Sequence, residues 1–199
     1  MLKWVFQKIL CVGAATAAYQ IEGAAFEDGK GLSVWDNGCM RDGFVKDGDN
    51  GNIACDHYHR YKEDVQLMKK MGLKAYRMSI SWTRILPNGI GKINEKGLEF
   101  YDNLVDELLN NGIVPYELYK KGGWLNDDSS NWFAEYTKIV VERLSDRVSN
   151  WITQNEPQCF IGLGHGAGIH APGLRLDNRD VLLAGHNSLL AHGGWTQFV

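Results

Sequence analysis

Hydrophobic and polar residues follow two different periods along this chain, and the two periods alternate. Four stretches repeat apolar residues every three or four positions, as amphipathic helices do, and four shorter stretches are strand-like. The predicted strands are residues 11–16, 73–82, 113–119 and 148–156, and the predicted helices are 56–72, 95–111, 130–147 and 180–192. Four strand–helix units in series predict a parallel α/β architecture.

The first three helices each have a clear apolar face. These faces consist of Tyr58, Tyr61, Val65 and Met68; of Leu98, Tyr101, Val105 and Leu108; and of Phe133, Tyr136, Val140 and Leu144. Residues 27–54 are rich in Gly, Asp and Asn and predict a long loop at the rim. Residues 86–89, Leu-Pro-Asn-Gly, predict a turn.

The strand predicted at 73–82 has two distinct faces. Bulky apolar residues alternate with small or polar ones, Tyr76, Met78, Ile80 and Trp82 against Ala75, Arg77, Ser79 and Ser81. This alternation fits a barrel strand whose inner face lines a partly functional lumen.

Composition narrows the class of protein. The 199 residues are 44% hydrophobic and 23% charged with a net charge of −3, which is typical of a soluble globular protein of one or two domains. The balanced charge favours neither a nucleic acid nor a membrane as partner. Seven Trp and eight Tyr indicate either an aromatic core or a site that stacks flat ligand faces.

The cysteines and the amino-terminal residues indicate the cellular compartment of the protein. The four cysteines are Cys11, Cys39, Cys55 and Cys159. Their spacing matches no metal or redox motif, so we expect reduced thiols, no metal and a cytoplasmic protein. Lys3 and the apolar run after it resemble a signal peptide, but Gln7 and Lys8 interrupt that run.

The last predicted strand ends on unusual residues. Trp151-Ile152-Thr153 is followed by Gln154-Asn155-Glu156-Pro157. Proline favours an extended conformation in the residue before it, so Glu156 is predicted to be extended at a strand end. In a parallel barrel the carboxyl ends of the strands share one face. We therefore expect Glu156, Arg77 and Gln20 to converge there, although an ordinary solvated strand end is the alternative.

Six segments of the sequence stand out as motifs. They are GAATAAYQIEGA (13–24), GLSVWD (31–36), ACDHYHRYKEDVQLMKKMGLKAYRMSISWTRILPNG (54–89), FYDNLVDELLNNGIVPY (100–116), KGGWLN (121–126) and WITQNEP (151–157). Their order resembles the order seen in glycoside hydrolase family 1. The chain thus resembles the amino-terminal half of a bacterial β-glucosidase or 6-phospho-β-glucosidase. The resemblance implies a partial (β/α)₈ TIM barrel of about four βα units, formed by residues 1–199 as one domain.

The resemblance also implies a chemistry, the retaining hydrolysis of β-glucosides or other small saccharides without a cofactor. Glu156 matches the general acid/base of the family. Asn155 matches the residue that binds the sugar 2-hydroxyl, and Gln20 matches an amide that binds the glycone. Arg77 matches the arginine that keeps the nucleophile ionised.

Three features depart from the family pattern. About ten residues, including a His and a Trp of the sugar pocket, are missing between Tyr116 and Gly122. No Thr-Glu-Asn-Gly segment, which carries the nucleophile of the family, occurs in the sequence. Gln154 replaces a commonly apolar residue, and residues 6–13 and 192–199 also differ from the pattern.

These departures lead to two main hypotheses. The first is a retaining β-glycosidase by descent that is inactive on its own because the nucleophile is absent. The alternative is a non-catalytic sugar-binding or self-associating half-barrel, in which Trp35 or Trp124 replaces the lost Trp. Unpaired edge strands favour association, so a homodimer is possible in either case.

Other polar residues offer weaker candidates. A zinc site at His57 and His59 is disfavoured because residues two apart on a helix point in different directions. Instead, Asp56 is predicted to cap the helix, with both histidines in local hydrogen bonds. Glu22 either faces the site or holds structure, and Glu117 has no assigned role.

Overall fold

The computed structural model describes residues 12–110, 114–120 and 124–195, with the backbone alone for 114–120 and 195. The strands are β1 (Gly13–Ala15), β2 (Ala75–Ser81), β3 (Val114–Lys120) and β4 (Trp151–Ile152). The α-helices are α1 (Ala18–Ile21), α2 (Val34–Cys39), α3 (His57–Lys70), α4 (Trp82–Ile85), α5 (Glu95–Asn110), α6 (Ser129–Leu144) and α7 (Asn178–Trp195). A 3₁₀-helix spans Lys46–Gly48 and a π-helix spans Cys159–Gly166.

The four strands form one parallel sheet in the order β1-β2-β3-β4. Arg77 of β2 pairs with Ala15 on one side and with Tyr116 on the other, and Glu117 pairs with Trp151. Long helices follow β1, β2, β3 and β4 in turn, so the predicted architecture of about four βα units is confirmed. Strand β4 has two residues instead of the predicted nine, because residues 148–150 are outside the ladder and the chain bends away at Thr153.

The core lies between β2 and the helices α3, α5 and α6. Tyr76, Met78 and Ile80 of β2 are at most 3% exposed, as predicted for the bulky face of this strand. The predicted apolar faces of α5 and α6 are also buried: Leu98, Tyr101, Val105 and Leu108 with Phe133, Tyr136, Val140 and Leu144. Val65 of α3 is buried and its neighbours Tyr58, Tyr61 and Met68 pack against the same core.

The segment predicted as a long loop at residues 27–54 contains two helices, α2 and the 3₁₀-helix. Ser33 and Asp36 form a reciprocal capping box at the start of α2. The Asp36 N–H donates to Ser33 Oγ at 3.1 Å, and the Ser33 N–H donates to Asp36 Oδ2 at 2.6 Å. The predicted long loop is therefore interrupted by one short α-helix and one 3₁₀ turn, because a good cap stabilises even a short helix.

The start of α3 also differs from the prediction. Asp56 has a left-handed backbone, φ 56°, and its side chain makes no capping bond. Instead, His59 Nδ1 donates to Asp56 Oδ1 at 2.6 Å, and His57 Nδ1 donates to Asp64 Oδ2 at 2.6 Å. The local histidine hydrogen bonds are confirmed, and the side-chain cap is wrong because the carboxylate is taken by His59.

A buried ion pair joins the segment after β1 to the end of β2. Arg84 Nε donates to Glu22 Oε2 at 3.0 Å, and the two side chains are 1% and 6% exposed. The Tyr101 hydroxyl donates to Glu22 Oε1 at 2.5 Å, and Arg84 Nη2 donates to the Gly23 carbonyl at 3.1 Å. The Arg84 guanidinium also lies 4.3 Å from the centre of the Tyr58 ring. Glu22 therefore holds structure and connects α1 with α3, α4 and α5.

Burial and neighbouring charges both shift the pKa values of Arg84 and Tyr101, the two partners of Glu22. Burial, the largest single effect, opposes the charged guanidinium, but Glu22 together with Tyr101 and Tyr58 outweighs it, so the pKa of Arg84 lies above its ordinary value. Burial, and then the nearby Glu22 charge, raise the pKa of Tyr101 well above its usual range. Tyr101 consequently keeps its proton and remains the donor to Glu22.

We expect Glu22→Leu and Arg84→Met each to lower the free energy of unfolding by about 3–5 kcal/mol, because each leaves a buried charge without its partner. The double variant loses less than the sum of the two, because it removes both charges. Urea unfolding of the four proteins measures this coupling. Arg60→Met is the control, since its ion pair with Glu63 is exposed and its loss should cause no measurable change. Additive effects of the two buried substitutions would contradict the prediction.

The raised pKa of Tyr58 leads us to expect a loss of stability at alkaline pH. Burial, and then its hydrogen bond to Asp28 Oδ2 at 2.8 Å, raise the pKa of Tyr58 to about 12. Its ordinary value is 10.0, so between these two pH values the folded state binds more protons than the unfolded state, and stability falls as pH rises. The contribution of Tyr58 is complete below pH 10 and is lost through about pH 12.

We expect Tyr58→Phe to make the urea midpoint less dependent on pH over this alkaline window, because the variant has no phenol to ionise. Urea midpoints of the two proteins at pH 9 and at higher pH measure the slopes. Parallel slopes for the wild type and the variant would show that the Tyr58 phenol does not carry this dependence.

Candidate active site

A cleft of about 630 Å³ opens at the carboxyl ends of the strands. Its walls come from the segment after β1, from α2, from the end of β2 and from the segment after β4. The side chains that line it include Gln20, Trp35, Ser79, Glu156, Phe160 and His170. This is the end of a parallel α/β sheet at which binding and catalytic residues generally lie.

Gln20 and Glu156, two of the four candidate residues, both line this cleft. Gln20 lies on α1, which is fixed to β2 because the Ala18 N–H donates to Ser79 Oγ at 2.7 Å. Glu22, two residues later, points instead into the buried ion pair with Arg84. Ser79 was known from the sequence only as a polar position on the inner face of β2, and its contact with α1 carries no sequence signal.

Arg77 and Asn155, the other two candidates, contact each other. Arg77 Nη2 donates to Asn155 Oδ1, which connects β2 to the segment after β4. Arg77 Nε is buried and has no hydrogen-bond partner among the described residues. The guanidinium therefore retains a donor that a nearby acceptor could use. The four candidates thus form two neighbouring pairs. Gln20 and Glu156 lie on the cleft wall, and Arg77 and Asn155 join β2 to the segment after β4.

Glu156 does not have the predicted backbone conformation. It is exposed, and its φ of 48° is left-handed, so the prediction that Pro157 holds it extended is wrong. The chain turns sharply here into the π-helix, and the Cys159 N–H donates to the Glu156 carbonyl at 2.8 Å. Closing this turn outweighs the local preference of a residue before proline. Left-handed non-glycine residues of this kind cost about 1–3 kcal/mol and concentrate at functional sites.

The carboxylate of Glu156 has one described side-chain contact. The Cys159 thiol, which also lines the cleft, donates to Glu156 Oε2 at 3.4 Å. The carboxylate otherwise faces solvent in the cleft. It is therefore free to approach a bound molecule.

Aromatic side chains form one wall of the cleft. The Trp35 ring stacks on Tyr19 at a centroid distance of 6.0 Å and lies 6.2 Å from His170. Burial, and then the hydrogen bond that the Tyr19 hydroxyl donates to Cys39, raise the pKa of Tyr19 to about 12. Trp124 is 2% exposed and stacks on Phe160, so Trp35 is the better placed of the two tryptophans to contact a ligand.

The other candidates from the sequence are a metal site, Glu117 and the cysteines. The described residues contain no group of three or more His, Cys, Asp or Glu placed to hold a metal ion. The side chain of Glu117 and the whole of Cys11 lie outside the described residues. No helix in the described part of the chain is both long and apolar enough to cross a membrane.

Several known proteins have sequences similar to this chain. Beta-glucosidase A of Acetivibrio thermocellus is 50% identical over 203 residues, which cover 97% of this chain and 45% of that protein. Beta-glucosidase A of Thermotoga maritima is 50% identical over 190 residues, covering 90% of this chain and 42% of that protein. The chain therefore spans less than half the length of these curated relatives.

Solved structures of β-glucosidases are also similar to this chain. The beta-glucosidase of Thermotoga maritima in complex with glucoimidazole has a TM-score of 0.91 and is 46% identical, covering 94% of this chain and 45% of that one. The same enzyme in complex with castanospermine also has a TM-score of 0.91. The family model for glycosyl hydrolase family 1 matches residues 3–198. With its sheet, cleft and sequence all in agreement, the chain belongs to glycosyl hydrolase family 1.

Proposed function

We propose that this chain forms the acid/base half of a retaining β-glucosidase site, with Glu156 as the proton donor. One observation carries the proposal. Glu156 and Gln20 line the same strand-end cleft, and the bonded pair Arg77–Asn155 joins β2 to the segment after β4, which carries Glu156. The relatives named above are β-glucosidases, which makes a β-glucoside the substrate class.

The chemistry follows from two carboxyl groups acting in sequence. In the first step Glu156 protonates the glycosidic oxygen while a second carboxylate attacks the anomeric carbon, which breaks the bond to the aglycone. In the second step Glu156, now ionised, takes a proton from the water that releases the sugar. Asn155, held by Arg77, binds the sugar 2-hydroxyl, and Gln20 binds the glycone.

The second carboxylate comes from the part of the barrel that completes the ring. Glu156 and Asp49 are the carboxylates among the described residues of the cleft, and Asp49 lies on the rim segment instead of a strand end. A retaining enzyme needs its two carboxyl groups about 5 Å apart, across the sugar. The unpartnered Nε of Arg77 suits it to stabilise such a carboxylate in its ionised form.

The remaining barrel units have a surface on which to pack. On α7, Leu182 is 73% and Leu189 71% exposed, and Leu183 and Leu190 lie beside them. Leucines seven positions apart share one side of a helix. This surface also supports the second candidate function, a sugar-binding half-barrel that pairs with a second copy of itself. We place the protein in the cytoplasm, which the free thiols of Cys39 and Cys55 support.

The activity can be tested by combining this chain with the carboxyl-terminal part of the Thermotoga maritima beta-glucosidase. We expect a 1:1 complex that hydrolyses phenyl β-glucoside, and a loss of about 10²–10⁴-fold in kcat/KM for Glu156→Gln. The variant should lose much less with 2,4-dinitrophenyl β-glucoside, whose leaving group needs no proton. Azide, which attacks without a general base, should restore the second step and give glucosyl azide.

Glu63→Gln is the matched control, because Glu63 is an exposed glutamate on α3, outside the cleft. A 1:1 complex that does not turn over either substrate would contradict the proposed activity. Glucose or cellobiose binding to such an inactive complex, measured by calorimetry, would favour the second candidate. Size-exclusion chromatography of the chain alone tests whether it forms a homodimer.

A further inference from the structure

The segment that carries Glu156 is not held by backbone pairing to the sheet. The pairing of β4 with β3 ends at Leu118 and Ile152, four positions before Glu156. Glu156 itself is exposed and has a left-handed backbone. A carboxylate that must protonate a bound oxygen needs a fixed position, since a displacement of 1 Å can cost about 10²-fold in rate. Other contacts must therefore supply the position that the short strand does not.

Helix α7 supplies these contacts through a reciprocal pair of hydrogen bonds. Gln154 Nε2 donates to the Ser188 carbonyl at 3.0 Å, and Ser188 Oγ donates to Gln154 Oε1 at 2.7 Å. Ser188 is only 2% exposed. In addition, Thr153 Oγ1 lies 2.7 Å from His192 Nδ1, one helical turn further along α7. Two consecutive residues of the segment are thus attached to the same helix.

We propose that Gln154 and Ser188 are positioning residues for Glu156, which fix its segment against α7. The next residue, Asn155, is bound from the opposite side by Arg77 of β2. Glu156 therefore follows directly after two anchors, one on a helix and one on a strand. The proposal gives these contacts a role in the proposed function, but the contacts themselves can be tested without it.

The chemistry of the pair explains what an apolar residue at position 154 would lose in this chain. A primary amide offers a donor and an acceptor at once, and Ser188 presents a carbonyl acceptor and a hydroxyl donor in complementary positions. Methionine has nearly the same length and shape but makes neither bond. It would leave the buried Ser188 hydroxyl unsatisfied. The resemblance to the family leads us to expect an apolar residue at position 154, so this pair is a feature of the present chain.

The first test uses hydrogen exchange of the chain alone. The Cys159 N–H is bound to the Glu156 carbonyl and reports the turn at Glu156. We expect Gln154→Met and Ser188→Ala each to speed its exchange about tenfold, with no change in the amides of α5. Asn187→Ala is the matched control, because Asn187 is equally buried on α7 but donates to the carbonyls of Trp124 and Asn126.

The first test has two outcomes that would overturn the proposal. One is an unchanged Cys159 amide in both variants. The other is an equal effect of Asn187→Ala, or a general rise in exchange across α5, since either would show that α7 only stabilises the fold. Because exchange does not depend on turnover, this test stands even where the proposed activity fails.

The second test uses the complex that completes the barrel. We expect Gln154→Met to lower kcat for phenyl β-glucoside by about tenfold to a hundredfold, with little change in KM or in the rate with 2,4-dinitrophenyl β-glucoside. Asn187→Ala should lower both rates alike, through the folded fraction. Equal losses on both substrates for Gln154→Met would overturn the positioning role, whereas an inactive wild-type complex would contradict the proposed function.

Discussion

Parallel pairing along β2 is the constraint on which the rest of the site depends. It aligns β1 and β3 on either side of β2, and through β3 it brings β4 into the same register. Residues that are far apart in the chain therefore reach one edge of the sheet. The hydrogen bond between Arg77 and Asn155 crosses the width of β3 and is possible only in this arrangement. The cleft is thus a direct consequence of strand order.

The sheet fixes where the site lies, and buried polar groups fix its walls. The segment after β1 carries Gln20 into the cleft and Glu22 into the core two residues later. Because Glu22 is bound by both Arg84 and Tyr101, this short segment cannot move without separating a buried charge from its partners. The carboxylate that the sequence left undecided between site and structure therefore acts on the site indirectly, by holding the segment that carries Gln20.

How much could be predicted depended on the length and regularity of each element. Strand β2 and helices α5 and α6 carry sustained periodic patterns, and their buried faces were predicted correctly. Helices α1 and α4 have four residues each, too few for a period to show. Helix α2 has a capping box in its sequence, Ser33 to Asp36, but lies in a segment whose Gly and Asp content indicated a loop.

The site residues divide in a similar way. Strand-end residues such as Gln20 and Glu156 could be placed because parallel topology alone brings them together. The backbone of Glu156 could not, because a local rule about proline competed with a turn that only the full chain defines. The contacts of Gln154 with Ser188 join residues 34 positions apart, and nothing in either residue type indicates the pairing.

Residues of both kinds lie at the end of β4, and together they explain how so short a strand can be followed by a carboxylate whose segment is fixed in place. A longer strand would hold Glu156 through the backbone ladder and would leave it extended, pointing along the sheet. The observed chain stops pairing at Ile152 and turns at Glu156 instead. It replaces the ladder with side-chain bonds from Gln154 and Asn155 to two rigid elements. Side-chain hydrogen bonds, and not backbone pairing, thus fix the segment that carries Glu156. The Glu156 carboxylate stays exposed in the cleft, while α7 and β2 hold the segment from two sides.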